Sequence, residues 1–154
     1  MYTTLVVFHL LAAAVWIGGT VALVFTAVPV LRQLPLEHRV AGMRALGRRW
    51  KPIGWGSLTV LLASGIWLAL GYWGADDADV LFHSRTGSIL IAKAVLFLSI
   101  LTTSALHDFV LGPGLNRQIR EGRPQTLRRP MQLVGWWTFA GTIALPVLGV
   151  VLTT

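Results

Sequence analysis

Long runs of apolar residues alternate with short polar connections along this chain. Four segments, about Thr3 to Leu31, Pro52 to Trp73, Gly87 to Leu111 and Met131 to Leu152, carry almost no charge. Each exceeds the roughly 18 residues that cross about 30 Å of hydrocarbon at helical rise. The pattern therefore predicts an all-α integral membrane four-helix bundle occupying residues 1–154 as a single domain, with no room for a soluble one. The first run lacks a basic leading region and continues past the length of a signal-peptide core, so it is read as a retained helix.

Within the spans, helical periodicity marks the inward faces. His9, Ala12, Ala13, Trp16, Gly19 and Thr20 share one stripe of the first span. Gly54, Ser57, Leu61 and Ser64 or Gly65 share one on the second. On the third, Lys93, Phe97, Ile100, Ser104 and His107 align, and on the fourth Gly135, Thr138, Thr142, Pro146 and Gly149. Small residues on such faces let membrane helices pack closely, or leave space for a flat cofactor. A weak internal repeat runs through the pattern: Pro29 and Leu31 recur 84 positions later as Pro113 and Leu115. It predicts two parallel-related helical hairpins about a pseudo-two-fold axis along the membrane normal. The same offset carries His9 to Lys93, which predicts that the two face each other at one level.

Composition agrees, with 55% hydrophobic and 12% charged residues. Eleven of the thirteen basic residues lie between spans one and two or between three and four, which places both connections in the cytoplasm and both termini outside a bacterial-type inner membrane. Pro52 is expected to open the second helix, and Gly112-Pro113-Gly114 to stop the third. The net charge of +7 sits in juxtamembrane segments with no binding module around it. Anionic headgroups are thus the expected partner and nucleic acid is not. A redox partner or quinone, and a homo-oligomer, are compatible further partners. The absence of cysteine excludes disulfides and thiolate metal sites.

The chemistry that remains is sparse. His9 lies within an apolar span, where an ionisable group is costly and so a functional candidate, as a ligand or a proton relay, against the plainer alternative of an interhelical hydrogen bond. Neutral imidazole is a common metal ligand, so His9 is a candidate axial ligand to a haem or another metal. Lys93 either snorkels toward Asp76, Asp77 or Asp79, or supplies counter-charge or a sixth ligand to a bound group. His83 is a solvated residue or a second axial ligand. His107-Asp108 is a helix-end pair or a proton-transfer pair, and the tryptophans of RRWKPIGW, Arg48 to Trp55, read as interface anchors.

HLLAAAVWIGG, residues 9–19, resembles the opening helix of the copper-resistance protein D (CopD-type) membrane domain. RRW at 48–50, the Ser64-Gly65 pair, and Lys93 followed by a Pro-x-Leu ending resemble its second and third helices. A more distant similarity is to the HemJ-type protoporphyrinogen oxidases, which imply a haem b cofactor; the chain departs from that pattern with Ile91. The resemblance implies that His9 and Lys93 are the functional pair, with Trp16 as a packing partner.

Copper paths favour several soft donors, and three methionines with no cysteine are few. A haem asks for one imidazole, a slot and cations. A b-type haem protein in redox or porphyrin-related chemistry is thus the first expectation, with His9 as axial ligand and Lys93, Trp16 and His83 around the cofactor. Copper uptake or resistance is the alternative, and a non-catalytic assembly partner is a third.

Overall fold

The computed structural model describes residues 2–153, Thr153 through its backbone alone. The fold is all-α among the described residues: α1 (Tyr2–Arg32), α2 (Leu36–Gly71), the short α3 (Ala78–His83), α4 (Arg85–Arg120) and α5 (Arg128–Thr153). All but α3 are long and apolar enough to cross a membrane. The chain divides into two compact units, one ending at Ser84 and the other beginning at Arg85. Each contains one antiparallel pair of membrane-length helices, α1 with α2 and α4 with α5.

Two expected boundaries are corrected. Pro52 does not open the second helix but lies inside α2, which begins at Leu36. Arg39, Arg44, Arg48, Arg49 and Lys51 therefore ride on a helix rather than a loop. Likewise, Gly112-Pro113-Gly114 does not end the third helix, which runs on to Arg120. The reason is common to both: the switch from apolar to charged residues marks where hydrocarbon ends, whereas helical backbone bonds continue in water. Gly42 shows how the α2 extension is held, since a Cβ there would lie 2.6 Å from Leu31 Cδ2.

Proline inside a helix normally loses one backbone bond and clashes with the carbonyl four residues back. In α1 and α4 the backbone widens into a π-helical turn just before the proline, over Leu23–Ala27 ahead of Pro29 and over Leu106–Leu111 ahead of Pro113. A wider turn relieves that clash by moving the carbonyl aside. Both turns end two residues before their prolines, and the ends, Ala27 and Leu111, are 84 positions apart. The repeat read from a few letters thus has a counterpart in backbone geometry.

Inside the first hairpin, Trp16, Gly54, Ser57, Leu58, Leu61 and Ser64 are buried. Inside the second, Gly87, Ile100, Ser104, Leu111, Gly141 and Thr142 are. Most belong to the expected inward stripes; Leu58, Gly87, Leu111 and Gly141 do not, and of these Leu58 and Gly141 each adjoin a stripe residue, Ser57 and Thr142. Large apolar residues such as Phe8, Leu10, Val95 and Val147 are exposed. That is the normal state of a surface built for lipid.

Candidate functional site

His9 stands on α1 against Ser64 and Gly65 of α2. Its Nδ1 lies 2.8 Å from Ser64 Oγ, and Ser64 Oγ lies 2.5 Å from the carbonyl oxygen of Val60. A carbonyl can only accept, so the single hydroxyl proton of Ser64 goes to Val60. Ser64 must then accept from Nδ1–H, and the lone pair of the neutral ring falls on Nε2. Gly65 admits the ring close to the α2 backbone: a Cβ there would meet His9 Cε1 at 3.6 Å. Ligating histidines are oriented in this way, with one ring nitrogen donating to a fixed acceptor and the other presented to a metal.

Two turns further along α1, Trp16 is buried and stacks on Trp50 of α2, with ring centroids 6.1 Å apart. A Cβ on Gly19 would overlap the Trp50 indole, and one on Gly54 would lie 3.1 Å from Trp16. Trp50, expected as an interface anchor, instead fills the hairpin. At the far end Tyr2 donates from its hydroxyl to the Gly71 carbonyl at 2.8 Å. His9 thus sits between a tyrosine clasp and a tryptophan stack.

The second hairpin repeats the arrangement with different chemistry. Lys93 lies on α4 opposite Gly149 of α5, where a Cβ would meet its Nζ at 3.6 Å. Gly65 and Gly149 are themselves 84 positions apart, as are His9 and Lys93. Each ionisable residue therefore faces a glycine at the same register of its own hairpin. Deeper, a Cβ on Gly141 would press on Ile100 at 3.0 Å, Thr103 and Thr138 hydroxyls meet at 2.9 Å, and Trp137 Nε1 donates to Ser99 Oγ at 2.7 Å. His107 Nδ1 is 3.0 Å from Asp108 Oδ1 within the π turn. Ser104 Oγ is buried with no partner among the described residues.

His9 and Trp16 thus share the first hairpin, and Lys93 belongs to the second. His83 is drawn elsewhere: it ends α3, exposed, 3.4 Å from Asp79. Trp50 and the Val60 carbonyl escaped the sequence reading. An i−4 serine bond leaves no trace in letters, but RRW stands a helical turn before Gly54 and could have suggested that its indole covers a glycine.

A haem expectation needs room between small residues. At three interior glycines that room is taken: Trp50 occupies the space over Gly19, Trp16 that over Gly54, and Ile100 that over Gly141. The glycines serve helix packing there and do not form a macrocycle slot. No group of three or more histidine, aspartate or glutamate side chains among the described residues is placed to hold an ion. His9 is accordingly a single oriented donor.

The two matches with known proteins both carry copper in their names. The family model described as copper resistance protein D matches residues 44–153. The copper transport protein CutJ of Bacillus subtilis (strain 168) is 32% identical over 120 residues, covering 78% of this chain and 20% of the relative. The chain therefore spans about a fifth of that relative's length. No solved structure matches. These findings favour the copper alternative over the haem expectation, for which neither they nor the hairpin interiors give support.

Proposed function

Because the chain belongs to the copper resistance protein D family, a family of multi-pass membrane proteins of the bacterial inner-membrane type, we propose that it handles copper ions, with the His9 imidazole as a donor on the ion's path. The observation that supports this reading is the Val60–Ser64–His9 chain of hydrogen bonds, which fixes the ring and turns the Nε2 lone pair outward from Ser64. A single nitrogen does not trap copper. It offers a weak, exchangeable hold, which suits transfer better than storage. Ser64 acts as the positioning residue and His9 as the ligand.

Copper binding to the detergent-purified protein, measured beside copper accumulation in expressing cells, tests the reading. His9→Ala is expected to abolish both while leaving the protein folded. Ser64→Ala is expected to weaken binding by about 10- to 100-fold, the usual effect of losing the group that orients a ligating histidine. Unchanged copper binding in His9→Ala would overturn the proposal. A Soret band that disappears in His9→Ala would return the imidazole to a haem.

A further inference from the structure

The connection between α4 and α5 is built to a fixed shape. Leu127 is half-buried over Gly114, where a Cβ would lie 2.7 Å from Leu127 Cδ1. Gln118 clamps the connection from both ends of its amide: Nε2 donates to Thr126 Oγ1 at 2.8 Å, and Oε1 accepts from the Leu127 N–H at 3.3 Å. Glu121 takes Arg117 at 2.8 Å and Arg123 at 3.1 Å, and Gly122 turns the chain with φ +63°.

The result is an open recess of about 680 Å³ lined by Gly122, Arg123, Pro124, Gln125, Thr126, Arg128 and Arg129. Its wall contains three guanidinium groups and no carboxylate. Of these three Glu121 meets only Arg123, while the guanidinium groups of Arg128 and Arg129 have no hydrogen-bonding or ionic partner among the described residues. Thr126 accepts from Gln118, which leaves its hydroxyl proton available to donate. Every polar side-chain group left over in the recess is a donor or a cation except the Gln125 amide. The connection also joins two membrane-length helices, so it lies at a membrane surface.

We propose that this recess binds a phosphate group, held between Arg128 and Arg129 with Arg123 and the Thr126 hydroxyl completing the contacts. Guanidinium forks match phosphate oxygens bidentately, and paired forks in a preshaped loop distinguish a site from a diffuse basic face. The phosphate belongs either to an anionic phospholipid headgroup or to a soluble phosphate. The inference is independent of the copper reading.

Native mass spectrometry of the detergent-purified full chain tests it, with phosphatidylglycerol, phosphatidylcholine or inorganic phosphate added in turn. Retained phosphatidylglycerol, weakened about tenfold or more in Arg128→Gln/Arg129→Gln but not in Arg39→Gln/Arg44→Gln, supports a lipid site. Retained inorganic phosphate with the same dependence supports a soluble ligand. Arg128→Lys/Arg129→Lys keeps the charge and is expected to recover only part of the affinity, and Thr126→Val leaves both arginines and is expected to weaken it. Equal loss from the two glutamine pairs, or none from either, or equal retention of phosphatidylcholine, would overturn the site in favour of unspecific attraction.

Discussion

Ser64 governs the chemistry of a residue on another helix. Its hydroxyl proton is committed to Val60, so its lone pairs are what His9 meets, and the tautomer of the imidazole follows. Ser64→Thr preserves that hydroxyl and is expected to retain most copper binding, whereas Ser64→Val, of similar shape, is not. Affinity titration of the two variants separates hydrogen bonding from packing. Gly19 presents the opposite case, where the absence of a side chain is the function. Gly19→Leu places atoms where Trp50 lies and is expected to destabilise the first hairpin by about 1–3 kcal/mol, the usual cost of overpacking. Thermal unfolding in detergent measures it, and an unchanged midpoint would show that the indole can leave its seat at no cost.

At the scale of elements, the π turns in α1 and α4 are the least ordinary features. Each leaves its segment with longer-reaching backbone bonds than its neighbours have, close to a proline that donates none. Amide hydrogen exchange is therefore expected to be faster around Leu106–Leu111 than in α4 on the side toward Lys93. Uniform protection along α4 would remove the argument. These turns were not legible in the sequence, because Pro29 and Pro113 read equally well as helix ends and only the backbone shows how the helix passes them. The apolar spans, by contrast, were legible from length and charge alone, since hydrocarbon tolerates little else. Their helices' true ends were not, because Arg39 to Lys51 can leave the membrane without leaving the helix. The inward stripes placed Ser64, Gly65 and Gly149 correctly. They could not say that indoles rather than a cofactor would fill Gly19 and Gly54, since an aromatic ring and a flat ligand ask for the same small neighbours.

For the whole molecule, sidedness is the property most open to direct measurement. The chain has no cysteine, so single substitutions report without interference. The basic segments of α2 and α4 are expected in the cytoplasm and Asp77 outside. With a membrane-impermeant maleimide on intact cells, Asp77→Cys should label, while Gly47→Cys and Arg120→Cys should label only after permeabilisation. The reverse result would invert the topology and put His9 near the inner surface.

The shared register of the two hairpins has a practical meaning beyond ancestry. Opposite a glycine in one stands an imidazole, and opposite the matching glycine in the other stands an amine on a flexible stem. The scaffold gives both seats a glycine wall, but Ser64 stands beside the first and Leu148 holds the matching position of the second. Lys93→His would put a nitrogen donor in the second seat without altering the wall it rests on, and His9→Lys would place a tethered cation in the first. What distinguishes the two seats is the side chain each holds and the hydroxyl that only the first offers it.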